Sequence, residues 1–177
     1  QSPSAYHIWV SEIMLQQTRV EAVKSYYNRF TAELPTIADL AACQEEKLLK
    51  LWEGLGYYNR VRNMQKAAIQ IMAQYHGEMP HSYEELLKLP GIGSYTAGAV
   101  ASIAYGIPVP AVDGNVLRVI TRITANYGDI TKQNTKDEIT KQLQTIIPKQ
   151  HAGDFNQALM ELGATVCIPN GEPQCFV

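Results

Sequence analysis

Apolar residues recur at three- and four-residue spacing in window after window of this chain, and nowhere do they alternate at the two-residue period of a strand. The helical windows fall near residues 4–16, 20–31, 36–42, 45–53, 60–76, 83–89, 94–105, 116–126, 136–147 and 154–166. Start and stop signals agree with them. Ser82 with Glu85 and Thr135 with Glu138 fit capping boxes, and Gly77, Gly106 and Gly128 sit where helices should end. Connections are short, with no low-complexity tract and no internal repeat. The expected fold class is all-α, and 177 residues suffice for one large domain or two small ones.

Composition narrows function less than the pattern narrows the fold. A hydrophobic share of 46% and a charged share of 18% are ordinary for a globular chain. The net charge of −2 gives no overall basic footprint, so contact with nucleic acid has to come from local patches. No apolar run approaches the length of a membrane span and no secretory signal opens the chain, so no membrane role is expected. The chain begins at Gln1 and stops at Val177, two residues after a cysteine, and reads as a piece cut at both ends.

The loop Leu89-Pro90-Gly91-Ile92-Gly93-Ser94-Tyr95 carries the first functional signal. Pro90 stops the preceding helix, and Gly91 and Gly93 permit a sharp turn about Ile92 as an apolar anchor. Ser94 is placed to cap the next helix, where Ala97, Gly98, Ala101 and Ser102 are small enough for close helix contact. Backbone N–H groups at such a helix start suit a phosphate, which makes the hairpin a clamp for a DNA backbone. A plain helical hairpin whose glycines serve only the turn is the alternative.

Two carboxylates carry the second signal. Asp113, in Val112-Asp113-Gly114-Asn115, can cap a helix beginning near Val116, but Asn115 could do the same. The duplication points to another task for Asp113. Glu12 is the only ionisable side chain in Trp9-Val10-Ser11-Glu12-Ile13-Met14-Leu15-Gln16-Gln17-Thr18, and helical spacing puts Ile8 and Leu15 on its face. Apolar surroundings disfavour the charged carboxylate and suit a general acid; the alternative is a glutamate that simply faces water. Two carboxylates in different settings divide the labour of glycosidic cleavage: one protonates the leaving group and one stabilises positive charge on the sugar.

Five segments together carry a family resemblance: Ser11–Thr18, Trp52-Glu53-Gly54-Leu55-Gly56-Tyr57-Tyr58, Leu89–Val100, Ala111–Val116 and Phe155–Cys167. They resemble the adenine DNA glycosylases of the MutY type, in the helix-hairpin-helix glycosylase superfamily that also holds endonuclease III. The resemblance runs over nearly the whole chain with its motifs in order. It implies two helical modules with a cleft between them. Residues 19–114 would form a six-helix barrel with the helix-hairpin-helix near 83–105. Residues 1–18 with 115–177 would form an iron–sulfur-side module.

It also implies roles. Glu12 stands where the family's acid protonates adenine at N7, and Asp113 where an aspartate stabilises the oxocarbenium-like sugar. Asn115 and Tyr95 would line the reacting nucleotide, and Gln157 would hydrogen-bond the extruded adenine. Leu15, Gln17 and Tyr57 look like residues that wedge into the duplex, with Thr18 near the base opposite adenine. The implied partner is double-stranded DNA carrying adenine opposite 8-oxoguanine or guanine, met by a monomer. In a bacterium the expected location is the cytoplasm, at the nucleoid.

Position 95 separates the branches of this superfamily. The bifunctional branch has a lysine there, whose amine forms a Schiff base and permits strand cleavage. Tyr95 cannot form one, and Lys88 lies on the other side of the loop. Hydrolysis by water is expected, leaving an abasic site. A glycosylase for oxidised pyrimidines and a non-enzymatic helix-hairpin-helix DNA-binding module are the competing readings.

Cysteines and basic residues complete the survey. Cys43 reads as a buried small hydrophobe. Cys167 and Cys175 fall where the family places the first two thiolates of a [4Fe–4S] cluster, with seven residues between them rather than the usual six. A cluster takes four ligands, so it is expected to be incomplete or absent here, with Phe176-Val177 fitting the start of a Cys-x-x-Cys. Arg60, Arg62 and Lys66 form one candidate phosphate face and Arg118 with Arg122 another.

Overall fold

The first helix, α1 (Ala5–Leu15), is apolar on nearly all sides: Tyr6, Ile8, Trp9, Val10, Ile13 and Met14 are all buried. A helix without a polar face belongs in a protein interior. In the computed structural model, which describes residues 4–170 and 172–175, α1 packs against α7 (Ser94–Tyr105) and α2 (Val20–Glu33). Around them stand α3 (Ile37–Ala42), α4 (Glu45–Trp52), α5 (Asn59–Gln74) and the short α6 (Tyr83–Leu86). They close a core whose largest fully buried side chains include Trp9, Trp52 and Phe30, with the Phe30 and Trp52 rings edge to face at 5.9 Å. Then follow α8 (Gly114–Ile123), α9 (Gln133–Ile146) and α10 (Ala152–Thr165). The expected all-α fold is what the described residues show, with ten helices and no strand.

A second, smaller core forms where Val116, Leu117 and Ile120 of α8 meet Ile139 and Leu143 of α9, with Phe155, Leu159 and Met160 of α10 against them. Since α10 packs on both α7 and α8, it joins the two cores. The buried residues of α1 belong to the larger core, so α1 is packed with residues of the 19–114 segment although the chain reaches it first.

Several boundaries differ from the periodicity for identifiable reasons. Gly93 is the N-cap of α7 and Ser94 its first helical residue, so Ser94 does not cap and the helix start carries no side-chain cap. Thr135 lies inside α9, because it continues the buried Thr135–Ile139–Leu143 stripe and the helix starts three residues before the expected 136. Ser82 does cap α6, but the Glu85 carboxylate turns to Tyr75 and Lys88 instead of closing the box. The reciprocal box is at Thr36 and Asp39, ahead of α3. Beyond Leu86 the hydrogen bonds tighten to three-residue spacing before Pro90, which shortens the 83–89 window. Gly106 ends α7 in the left-handed conformation as expected, whereas Gly128 sits in the connection well after α8 ends. Cys43 is half-buried rather than interior, since its thiol reaches only the neighbouring Gln44 carbonyl at the end of α3.

Small residues bring the segment before α8 hard against its neighbours. A Cβ on Gly98 would stand 2.3 Å from the Pro110 carbonyl oxygen, and one on Gly163 would stand 2.6 Å from Asn115 Cβ. Both contacts are with the chain that carries Asp113. Asn156 of α10 fastens the same segment from inside. Its Oδ1 accepts from the Ala111 N–H (3.1 Å), and its Nδ2 donates to Ser102 Oγ (2.8 Å) and the Val109 carbonyl (2.9 Å).

Candidate active site

The end of α1, the connection before α5, the start of α7, the Asp113 cap and one side of α10 enclose a cleft of about 1050 Å³. Eight sequence-predicted residues line it: Glu12, Leu15, Gln17, Thr18, Tyr57, Tyr95, Asp113 and Asn115. Residues 83 and 101 positions apart in sequence thus meet at one place.

Glu12 is buried, at 8% exposure, in the apolar flank of α1. Burial pushes its carboxyl above the usual range, and the nearby Asp113 adds to the rise. The Tyr95 hydroxyl opposes both by donating to Glu12 Oε2 at 2.5 Å. Tyr95 itself is pushed far up by burial and by the Glu12 charge, so it keeps its proton. The Tyr95 oxygen also lies 3.3 Å from Met160 Sδ of α10.

Asp113 is both a helix cap and a cleft residue. Its Oδ1 accepts the Val116 N–H at 2.8 Å as the α8 N-cap, and it lines the cleft as well. The positive end of α8 supports negative charge there. Asn115 is not a cap: α8 starts two residues before the expected Val116, so Asn115 sits in its first turn and donates from Nδ2 to Asp113 Oδ2 at 2.8 Å. Its own oxygen accepts from Arg118 Nη2 (2.8 Å), and Arg118 also donates to the Gly163 carbonyl (2.6 Å) and, through Nε, to the Cys167 carbonyl (2.7 Å). One arginine therefore connects the cysteine segment, the end of α10 and the orientation of Asp113.

Gln17 and Tyr57 face the cleft with left-handed backbones, φ 58° and 47°. Such conformations in non-glycine residues carry strain and gather at sites that have to hold a shape. Arg60 holds both in place. Its guanidinium donates to the carbonyls of Ile13, Met14 and Gln16 at the end of α1 and to those of Leu55 and Gly56 beside Tyr57. It also lies over the Trp52 and Tyr57 rings, 5.3 and 5.7 Å from their centroids.

In the candidate phosphate faces, Arg60, Arg118 and Arg122 donate to backbone carbonyls, with Arg118 also bonded to Asn115 Oδ1 and Arg122 to the Cys167 thiol, while Arg62 pairs with Glu45 on the surface and Lys66 is exposed. No local signal marks an arginine that will serve distant carbonyls. The hairpin keeps its donors. Gly91 has φ 76° and a Cβ there would stand 2.7 Å from Asn63 Cβ, while Gly93 caps α7 with no side chain over the helix start. Gln157 is exposed on α10, outside the cleft, and folds its amide back to the Gly153 carbonyl at 3.3 Å.

Cys167 is buried, with Arg122 Nη1 3.2 Å from its sulfur, and Cys175 is exposed. Among the described residues no three His, Cys, Asp or Glu side chains gather as a metal site. Two thiols do not make the four-ligand set of a [4Fe–4S] cluster. Phe176 and Val177 lie outside the described residues.

Residues 10–149 match the family model of the HhH-GPD superfamily base excision DNA repair proteins. The chain belongs to this superfamily. The adenine DNA glycosylase of Mus musculus is 46% identical over 172 residues, which cover 97% of this chain and 33% of that protein. The adenine DNA glycosylase of Buchnera aphidicola subsp. Baizongia pistaciae is 41% identical over 174 residues, covering 97% of this chain and 48% of that protein. The chain thus spans a third to a half of the length of these curated relatives. A trapped endonuclease III–DNA covalent intermediate matches with a TM-score of 0.85 at 30% identity, covering 98% of this chain and 79% of that one. No helix among the described residues is long and apolar enough to cross a membrane.

Proposed function

We propose that the protein is a monofunctional DNA glycosylase that hydrolyses the N-glycosidic bond of adenine paired with 8-oxoguanine or guanine. The observation that carries this reading is the meeting of Glu12, Tyr95 and Asp113 in one cleft, with no lysine among the described residues that line it. The adenine DNA glycosylase relatives support the choice of base. Glu12, whose carboxyl burial pushes above the usual range, gives its proton to N7 of an adenine swung out of the duplex. The C1′–N9 bond then breaks with its electron pair leaving on the base. Asp113 stands by the cationic sugar, oriented by Asn115 and the α8 start. Water adds its oxygen to C1′ and loses a proton, leaving an abasic site.

The remaining cleft residues fit the handling of a duplex. Tyr57, Gln17 and Leu15, held on strained or half-buried backbone at the rim, are suited to fill the gap that the adenine leaves, with Thr18 beside the opposite base. The uncapped α7 start at Gly91–Gly93 suits a backbone phosphate. Gln157, one helical turn from Glu161 of the cleft, needs only to unfold its amide to approach a base. Cys167 and Cys175 would supply two of the four thiolates that a [4Fe–4S] cluster takes. The chain works as a monomer, and in a bacterium it would meet its substrate at the nucleoid.

The endonuclease III match raises a second reading, excision of oxidised pyrimidines with strand cleavage. Against it, the hairpin's Lys88 is exposed and ion-paired with Glu85, outside the cleft. Single-turnover incubation with duplexes carrying adenine opposite 8-oxoguanine, or an oxidised pyrimidine, decides between them. Adenine release with strand breaks only after alkali is expected. Alkali-independent cleavage trapped by borohydride would establish the second reading, and binding without release from either duplex would leave only a DNA-binding module.

A further inference from the structure

The Tyr95 hydroxyl has one proton and two acceptors on different helices, Glu12 Oε2 at 2.5 Å and Met160 Sδ at 3.3 Å. A phenol hydroxyl turns about its C–O bond to suit its partners. When Glu12 is ionised, the Tyr95 proton belongs on Oε2. When Glu12 is protonated on that same oxygen, two hydrogens compete for the line between them, and one has to leave it. The half-buried sulfur of Met160 is the acceptor within reach.

We propose that Met160 is a positioning residue that accepts the Tyr95 O–H hydrogen bond whenever Glu12 is protonated, so that Tyr95 donates to the carboxylate and accepts from the acid. This deepens the proposed function, since it rests on Glu12 acting as the acid. Met160 thereby favours the protonated carboxyl, in the same direction as burial. The other charged and titratable groups about Glu12 are Asp113 ahead of α8, Glu161 on α10, Arg19 after α1, Tyr57 and Tyr58 ahead of α5, and Arg60 on it. None of them has a hydrogen bond to the Tyr95 hydroxyl.

The test is the titration of the Glu12 carboxyl, followed by carbon-13 NMR in the intact protein without DNA, together with the pH dependence of single-turnover adenine release. Leucine matches methionine in volume without its acceptor. Met160→Leu is expected to lower the Glu12 titration by about half a pH unit. The fall of the rate at high pH should move down equally. Met160→Gln, which restores an acceptor, is expected to return the titration to the wild-type value or above. In a Tyr95→Phe background, Met160→Leu should shift nothing. An unmoved Glu12 titration in Met160→Leu, or the same shift without the Tyr95 hydroxyl, would overturn the proposal. Absence of adenine release from the wild-type protein would instead overturn the proposed reaction, because the titration is read without substrate.

Discussion

Glu12→Gln is expected to slow single-turnover adenine release by about 10³-fold while duplex affinity stays within about twofold. The substitution keeps the shape and the Tyr95 hydrogen bond but leaves no proton to give to the leaving base. Rate and affinity should therefore separate, as they do when a group acts only in the transition state. Stability should move the other way. Burial, reinforced by the Asp113 charge against the opposing Tyr95 hydrogen bond, holds the folded Glu12 carboxyl above its unfolded value. As pH rises through the ordinary carboxylate range, the unfolded chain releases this proton first, so the wild-type protein loses stability there until the folded carboxyl also ionises. The amide has no such dependence. At neutral pH Glu12→Gln should therefore be the more stable protein in urea denaturation, with the difference vanishing below the unfolded value. A variant that lost activity and stability together would show that Glu12 is a structural group.

Asn156→Ala is expected to cost about 3–5 kcal/mol of folding stability, read as a lowered urea midpoint. Asn156 is 1% exposed, and its amide supplies the partners of the Ala111 N–H, the Val109 carbonyl and Ser102 Oγ. Alanine leaves two backbone groups unsatisfied in the interior and a void where the amide stood. The damage should also reach the chemistry. Residues 109–111 run directly into Asp113, so the surviving folded fraction should release adenine more slowly, with duplex affinity less affected. Asn156→Ala with wild-type stability would mean that the segment is held by the close contacts of Gly98 and Gly163 alone.

Much of this arrangement is legible in the order of residues, and the rest is hidden for physical reasons. Periodicity locates the helices because each has to bury one face, and Pro90 and Gly106 end theirs by backbone conformation alone. Ala97, Gly98 and Ser102 were readable as a surface for close contact, and that surface holds α1, α10 and the Asp113 segment. Glu12 and Asp113 could be paired only through chemistry and family resemblance, since nothing local says that residues 101 apart will share a cleft. Arg60, Arg118 and Asn156 stayed obscure because their partners are carbonyls and amides that every residue carries. Nothing in the sequence singles out Met160, and only the 3.3 Å approach to Tyr95 sets it apart.

The pairing of a proton donor with a fixed anion across one sugar is tested most directly by a duplex carrying, in place of the reacting nucleotide, a cationic five-membered aza-sugar or its neutral tetrahydrofuran counterpart. If Asp113 stabilises positive charge at the sugar, the cationic duplex should bind about 100-fold or more tightly than the neutral one, and Asp113→Asn should remove most of that preference. Equal affinity for the two duplexes, or a preference unchanged in Asp113→Asn, would contradict the assignment of this cleft to glycosidic hydrolysis.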